Sequence, residues 1–312
     1  MILGHNRQIE YFNKVLLRGR MAHAYLFYGP EHIGKLTFAK LLAKTLFCEK
    51  SSKAIGNECG SCNECRAADT GMNQGFIFFD TEHTLVSKKD KRKDIPIEDI
   101  RELRRRLAFA PEGEKWRVVI MSDAEKLSPS AADAFLKILE EPGAQTLIIL
   151  ITSSRESILP TIISRTQPVR FSLVPEDALL AFIGKKEKDK KRRELISAIS
   201  SGRPGIVTRL LEEEGYMEKE LKFLQDIDFI LDGGALPEAL VFAEKAAQSA
   251  DTRDKAVEYI MRILRKNLLD SADLRLAVKL KRIADYADIL NSTNVNPRLA
   301  MDTIFLEAIE RT

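Results

Sequence analysis

The sequence has no hydrophobic run that approaches the roughly 18 apolar residues needed to cross a bilayer, and its first residues lack the apolar segment of a secretory signal. We therefore expect a cytoplasmic protein that makes no contact with a membrane. Neither sign of charge is in excess, because 49 Lys and Arg residues face 46 Asp and Glu residues, for a net charge of +3. This balance argues against a nucleic-acid coat protein, so any contact with DNA has to come from a local patch.

Cysteine is also scarce, yet all four cysteines lie close together. Cys59, Cys62 and Cys65 follow a C-x2-C-x2-C spacing, and Cys48 precedes them. Disulfides are not expected in the cytoplasm. Four thiolates can hold Zn²⁺ in a closed tetrahedral site that is structural, because no coordination position stays open for chemistry. An iron–sulfur cluster and metal-free thiols are the alternatives. The four histidines are scattered, and we assign none of them a catalytic role.

Near the N-terminus an apolar strand runs into a glycine-rich loop and a helix, as in phosphate-binding loops. Gly29 and Gly34 allow the backbone N–H groups to turn inward, and Lys35 can reach the terminal phosphates. The next position normally offers a hydroxyl to Mg²⁺, but here it is Leu36. The hydroxyl of Thr37 lies one residue later, about 100° further around the helix. We expect nucleotide binding, by ATP or ADP, to be weak or absent and hydrolysis to be impaired.

The second half of such a site is a strand that ends in acidic residues. The apolar run 118–121 ends in Ser122 and Asp123. In a hydrolysing site the first of these positions is an Asp that holds Mg²⁺, and the second is an acid that orients the attacking water. Ser122 cannot supply an anionic ligand, and Asp123 is one methylene shorter than the usual Glu. The pattern again predicts impaired hydrolysis.

Strand-like and helical segments alternate in the first half of the chain, which predicts a parallel sheet with crossover helices. We expect strands near residues 24–28, 76–80, 117–121, 147–152 and 168–171, a helix over 97–108, and another helix from the Ser128-Pro129 cap to Pro142. After about residue 175 the pattern is purely helical. Two charged runs, 88–93 and 185–193, are interpreted as solvated surface, with DNA contact as the alternative, because both contain acidic residues.

Four motifs together give the chain a resemblance to a known family. They are His23–Phe27, the four cysteines, Ala134–Pro142, and Ser164-Arg165-Thr166 after Leu159–Ile163. With them the chain resembles the bacterial DNA polymerase III clamp-loader subunits, which are AAA+ proteins. The resemblance implies an α/β fold: an AAA+ P-loop domain with a parallel sheet (1–172, including the cysteine module at 48–65), a small helical lid (173–214) and an all-helical collar domain (215–312).

Within this family, the gamma/tau type is an ATP-hydrolysing motor, whereas the delta prime type is usually inert. Leu36 and Ser122 favour the delta prime type. Gly205 lies near the position at which the lid of the motor carries an arginine, with Arg203 as an alternative source of that group. The chain has no long tail of the tau kind. An active gamma/tau-like motor, rescued by Thr37 and Asp123, is the alternative. A zinc-dependent nucleic-acid-binding module is a second one.

The resemblance also implies partners and site residues. Arg165 is expected to act as an arginine finger in the ATP site of a neighbouring subunit; otherwise it pairs with a local acid. Thr152 is expected near a terminal phosphate, or as a cap for the following helix. Arg101 and Arg105 lie on one helical face that either meets a DNA backbone or is solvated. The implied partners are the gamma/tau and delta subunits, a sliding clamp and, through the complex, primer–template DNA.

Overall fold

The computed structural model describes residues 2–50, 52, 54–86, 93–108, 115–292 and 295–309. The chain divides into two compact units, residues 1–212 and 213–312. The first unit contains the sheet and the second is built from helices. Among the described residues, no helix is both long enough and apolar enough to span a membrane.

The first unit is built around a five-stranded parallel sheet. Its strands are β1 Ala24–Tyr28, β2 Phe76–Phe79, β3 Arg117–Met121, β4 Thr146–Thr152 and β5 Gln167–Arg170. They are ordered β2-β3-β4-β1-β5, with every neighbouring pair parallel. The sequence-based prediction of a parallel sheet is confirmed, and each strand lies within one residue of its expected bounds. Because parallel strands end at one edge, the loops after β1, β3, β4 and β5 converge there.

Helices cover both faces of the sheet and form the core of the second unit. The first unit contains α1 Asn6–Arg18, α2 Lys35–Phe47, α3 Asn63–Asp69, α4 Ile97–Ala108, α5 Pro129–Glu140, α6 Pro160–Ile163, α7 Glu176–Ile183, α8 Lys190–Ser200 and α9 Pro204–Glu212. The second contains α10 Tyr216–Leu231, α11 Leu236–Ala246, α12 Ala250–Ser271, α13 Leu274–Ser292 and α14 Pro297–Ile309. The helix predicted over 97–108 is α4. The Ser128 hydroxyl caps α5 by accepting a hydrogen bond from the Ala131 N–H.

The central strands are buried on both faces, which explains why their sequences are continuous runs of apolar residues. Side chains alternate along β3, so that Val119 and Met121 join the core formed with α4 and α5, while Val118 and Ile120 join the core formed with α1 and α2. The second unit has a separate helical core that includes Ile260.

Aromatic rings fill the core beneath the glycine-rich loop. Phe12 of α1 contacts Phe38 of α2 with ring centroids 5.6 Å apart, and also contacts Phe27 of β1 at 5.7 Å. Phe171, which follows β5, packs on Phe27 at 5.0 Å. These rings are fully buried. They fix α1, α2 and the end of β5 around the start of the loop.

We expect Phe12→Ala to lower the free energy of unfolding by about 3–5 kcal/mol, because it removes a buried ring and leaves a cavity. Leu17→Ala on the same helix is the matched control: Leu17 is 69% exposed, and its loss should change stability by no more than about 0.5 kcal/mol. Urea unfolding of the two variants measures the difference. Equal losses in both variants would contradict the role given to the aromatic core.

Candidate functional site

The glycine-rich loop between β1 and α2 depends on two glycines with positive φ. Gly29 has φ 140° and Gly34 has φ 100°, conformations that other residues rarely adopt. A Cβ on Gly29 would lie 2.2 Å from the carbonyl oxygen of Phe171, so a side chain cannot be accommodated without moving backbone. Gly34 stands at the N-terminal end of α2, where free backbone N–H groups favour an anion. The loop therefore has the geometry of an anion site.

Lys35, however, is turned toward the loop itself. Its side chain is buried, with 7% of the residue exposed, and Nζ donates hydrogen bonds to the carbonyl oxygens of Gly29 at 2.5 Å and Pro30 at 2.7 Å. Burial lowers the pKa of Lys35 to about 8, an effect that Glu31 and Glu125 partly offset. The lysine that would meet the terminal phosphates is held by two backbone carbonyl groups of its own loop.

The loop is also tied to the first turn of α9. The Gly205 N–H donates to the His32 carbonyl oxygen at 2.8 Å, and a Cβ on Gly205 would approach that oxygen to 2.8 Å. No side chain fits at Gly205 without displacing the loop backbone. An arginine at this position, as expected in a motor subunit, is therefore excluded by the packing as well as by the sequence.

His5, which directly precedes α1, contacts the same glycine-rich loop. Its Nε2 lies 2.8 Å from the Ile33 carbonyl oxygen, and its ring packs edge-on against Phe171. Burial lowers the pKa of His5. Sequence analysis assigned no role to the histidines. Nothing in the local pattern marks His5, since its partner lies 28 residues away along the chain.

The two residues after Lys35 behave as their spacing predicts. Leu36 is half-buried and packs against the core, while Thr37 is exposed to solvent. The Thr37 hydroxyl thus faces away from the core side of α2.

Beyond β3, Asp123 is already engaged by neighbouring side chains. It adopts a left-handed conformation with φ 54°, and its Oδ2 accepts a hydrogen bond from the Thr81 hydroxyl at 2.7 Å. Lys126 Nζ lies 3.7 Å from the same oxygen. Ser122, at the end of the strand, offers only a hydroxyl. The arrangement provides no carboxylate at the position where a magnesium ligand is needed.

Thr152, at the end of β4, stabilises its own turn. Its hydroxyl donates to the Ser154 carbonyl oxygen at 2.9 Å and accepts from the Ser154 N–H at 3.2 Å. The side chain is buried. The hydroxyl is thus tied to the turn that follows β4 and not to the following helix α6, which begins only at Pro160.

Glu125 is a further acidic residue of the site, and the sequence pattern predicted no role for it. Its Oε2 is buried and has no hydrogen-bond partner within the described part of the chain. Burial, the largest cause, raises the pKa of Glu125, and its charge also acts on Lys35. Glu125 lies in a one-turn 3-10 helix, Ala124–Lys126, whose direction the sequence does not reveal. The charge of Glu125 therefore favours the charged form of the buried lysine.

The four cysteines form the second candidate site. Their Sγ atoms all lie within 4.8 Å of one another, and those of Cys59 and Cys65 are 3.9 Å apart. Zinc–sulfur bonds of about 2.3 Å in a tetrahedron place sulfur atoms about 3.8 Å apart, so the set fits Zn²⁺. Cys48 follows α2 directly and Cys62 caps α3, so a metal here would join the ends of these two helices.

Backbone N–H groups surround the cysteine sulfurs. The N–H groups of Cys59, Cys62 and Cys65 lie 3.3–3.4 Å from the sulfurs of Cys48, Cys59 and Cys62, in that order. Backbone hydrogen bonds, first from Ser61, lower the pKa of Cys59 to about 6. Burial raises the pKa of Cys65 to about 12. A bound cation favours the thiolate form of every cysteine, so it would offset this cost.

Arg165 follows the short helix α6 and lies at the surface, with its side chain 37% exposed. Nε and Nη2 both donate to Glu140 Oε1, at 3.0 and 2.7 Å. Nη1 donates to the Thr161 carbonyl oxygen at 3.1 Å. In the isolated chain, Arg165 thus pairs with a local acid, which is the alternative that sequence analysis left open for it.

The candidate DNA-contacting arginines lie on α4. Arg105 is bound to Glu102 through two hydrogen bonds of 2.8 Å, and Arg106 binds the same carboxylate. These contacts, first with Arg105, lower the pKa of Glu102 to about 2. Arg101 is exposed. An arginine engaged with an acid on its own helix is typical of a solvated surface.

The structure describes all of the second charged run, 185–193, but little of the first, 88–93. Residues 88–92 of the first run lie outside the described residues. In the second run Lys186 pairs with Glu212, and Arg192 pairs with Glu187 at 3.2 Å. These exposed pairs favour the interpretation of the second run as solvated surface.

Comparison with known proteins identifies the family. Residues 4–175 match the family model described as DNA polymerase III, delta subunit. The chain belongs to this family. It is 29% identical to the delta' subunit of DNA polymerase III from Pseudomonas aeruginosa over 216 residues, or 69% of this chain and 63% of the relative.

Subunits named gamma/tau match over a shorter part of the chain. The gamma/tau subunit from Mycobacterium tuberculosis is 33% identical over 184 residues, which are 59% of this chain. The match spans 30% of that relative's length. Among solved structures, RuvB of Thermotoga maritima aligns with a TM-score of 0.52 and 13% identity, covering 84% of this chain and 88% of RuvB. This likeness supports the AAA+ fold and nothing further.

The purified protein should carry one Zn²⁺ per chain, bound by the four thiolates. Cys65→Ser should lose the metal and lower the melting temperature by about 5 °C or more, because metal binding stabilises only the folded state. Elemental analysis and thermal unfolding measure both effects, and visible absorbance would reveal an iron–sulfur cluster instead. Asn63→Ala, in the same segment, is the control and should keep the metal. A metal-free protein of unchanged stability would contradict the assignment.

Lys35 should make stability depend on alkaline pH. The native pKa of about 8 lies below the value of about 10.4 for an exposed lysine, so between these values the unfolded chain binds more protons and stability rises with pH. The difference in unfolding free energy between the wild-type protein and Lys35→Met should shift toward the wild type by up to about 1.4 kcal/mol per pH unit in this window. Urea unfolding at several pH values measures it, with Lys40→Met as the charge-matched control. A constant difference would exclude a lowered pKa for Lys35 in the native state.

Proposed function

We propose that this protein is a delta prime-type subunit of a DNA polymerase III clamp loader. In this proposal it is a hydrolysis-deficient stator, and Arg165 acts in trans as the arginine finger of a neighbouring ATPase subunit. Membership of the DNA polymerase III delta-subunit family and the similarity to a delta' subunit support the proposal. The gamma/tau and delta subunits, a sliding clamp and primer–template DNA are its partners in this proposal.

The observation that carries the proposal is that the protein's own phosphate loop is poorly suited to bind and hydrolyse a nucleotide. Lys35 donates to loop carbonyl oxygens, and the Gly205 N–H holds the loop at His32. Leu36 offers no ligand to Mg²⁺, and Ser122 offers no anionic one. Such a site can bind a nucleotide only after Lys35 is released, and it lacks the ligands for metal-assisted hydrolysis.

Arg165 has the properties required of a residue that acts on a neighbour. It is accessible at the surface, and a guanidinium group can bridge two phosphate oxygens with parallel hydrogen bonds. An arginine supplied in trans stabilises the charge that develops on the transferred phosphoryl group. The pair with Glu140 is exposed on both sides, so a phosphate can approach Arg165 from solvent.

The remaining sites take supporting roles in this proposal. Zinc at the four cysteines is structural and fixes the end of α2. Residues 173–214 form the lid, and residues 215–312 form the collar through which the subunit joins its ring. Arg101 and Arg105 offer a weak, sequence-independent contact with the DNA backbone inside the complex.

One observation favours a second candidate, an active gamma/tau-like motor. The carboxyl group of Glu125 acts electrostatically on Lys35. In a motor, this carboxyl group could orient water in place of the missing glutamate. A motor hydrolyses ATP by itself and needs its own loop, whereas a stator does neither. Magnesium-dependent ATP hydrolysis by the purified subunit therefore separates the two candidates.

In a reconstituted clamp-loader complex, Arg165→Ala should abolish hydrolysis at the adjacent ATP site, with a loss of about 10³-fold or more at that site. Arg165→Lys should rescue little, since lysine lacks the planar fork. Arg192→Ala, which removes another exposed and paired arginine, is the matched control and should leave turnover unchanged. Steady-state and single-turnover ATPase assays measure these effects, with assembly verified by size-exclusion chromatography.

The outcome that favours the motor is equally specific. ATP hydrolysis by the isolated subunit, lost on Lys35→Ala, together with unchanged turnover in the Arg165→Ala complex, would replace the stator proposal.

A further inference from the structure

Glu140 holds Arg165 from one side of its guanidinium group. The Nε and Nη2 atoms of Arg165 both donate to the same oxygen, Glu140 Oε1. Nη1 is bound separately, by the Thr161 carbonyl oxygen at the end of α6. With three nitrogens engaged on two sides, both the plane and the direction of the group are fixed.

These contacts leave part of the guanidinium group of Arg165 accessible to solvent. An arginine carries five N–H donors, two of them on Nη2. One hydrogen of Nη2 serves Glu140, and the other has no acceptor among the described residues. The side chain is still 37% exposed. A phosphate that approaches from solvent can therefore meet an oriented donor while Glu140 remains bound.

Stability does not explain the placement of Glu140. It is the last residue of α5, where the negative end of the helix dipole disfavours a carboxylate. Its side chain is 50% exposed, and exposed ion pairs contribute little to stability. A carboxylate at a disfavoured helix end, bound to the arginine of the Ser-Arg-Thr motif, is better explained by the orientation it imposes on that arginine.

We propose that Glu140 is a positioning residue that orients Arg165 before the phosphate of a neighbouring subunit docks on its open side. This inference rests on the proposed role of Arg165 as a finger in trans. Orientation matters because a misplacement of about 1 Å at a reacting phosphate can cost about 10²-fold in rate. Glu140 itself does not touch the nucleotide.

The test is a double-mutant cycle in the reconstituted complex. Glu140→Ala should lower kcat for ATP hydrolysis at the adjacent site by about tenfold, less than Arg165→Ala does, with little change in KM. Glu140→Gln keeps an oxygen acceptor and should give an intermediate loss. In the Arg165→Ala background, Glu140→Ala should have no further effect, because the group that it positions is absent.

Glu141→Ala is the matched control. Glu141 is the next residue, is exposed, and makes no ion pair with a described side chain. It should leave kcat unchanged, and thermal unfolding of all variants should be alike, since the pair is exposed. An unfolding defect that accompanies the kcat loss would indicate a structural role instead.

The outcomes separate this inference from the proposed function. If Arg165→Ala lowers turnover but Glu140→Ala leaves it unchanged or raises it, Glu140 does not position the arginine, and the finger proposal stands. A Glu140→Ala effect that persists in the Arg165→Ala background also overturns the inference. If Arg165→Ala itself has no effect, the proposed function fails first, and the inference fails with it.

Discussion

The close approach between Gly29 and the backbone of Phe171 is the contact on which the glycine-rich loop depends. The Phe171 N–H donates to the Tyr28 carbonyl oxygen at 2.8 Å, which extends the pairing of β5 with β1 to the start of the loop. The Phe171 carbonyl then lies where a Cβ of Gly29 would be. Only glycine allows the loop to leave the sheet at this point.

The ring of Phe171 connects the same contact to the core. It packs on Phe27 and Phe38, and His5 packs on it from the N-terminal segment. Through these rings α1, α2 and the ends of β1 and β5 form one packed body. Because packed cores transmit displacement rather than absorb it, a shift of the loop must be accompanied by movement of these neighbours.

The helix α2 links the two candidate sites. Lys35 is its first residue and Cys48 follows its last, so the loop and the cysteine module lie at opposite ends of one rigid element. An ion pair of 2.6 Å between Lys44 and Asp69 joins α2 to α3 near the cysteines. A metal in the module would therefore fix the end of α2 that is remote from the loop.

The charges around the loop show how an anion site can persist in form while its chemistry is altered. Lys35 is buried among carbonyl oxygens. The charges of Glu31 and Glu125 partly balance its own charge, whereas that of Arg203 disfavours it. Arg165, by contrast, lies at the surface, and one N–H donor of its Nη2 has no acceptor among the described residues. The burial of Lys35 and the exposure of Arg165 together support a subunit that contributes to a neighbour's site more than to its own.

The sequence by itself determined the local features: the five strands, the bounds of α4, the cysteine spacing, and the substitutions Leu36 and Ser122. These follow from short-range periodicity and from residue chemistry, which need no partner elsewhere in the chain. Only the tertiary structure decided the strand order and the contacts Gly205–His32, His5–Ile33 and Arg165–Glu140. Each joins residues far apart along the chain, and the orientation of Glu125 likewise depends on how the segment after β3 packs. Such contacts are set by packing and hydrogen-bond geometry, which a linear pattern does not encode.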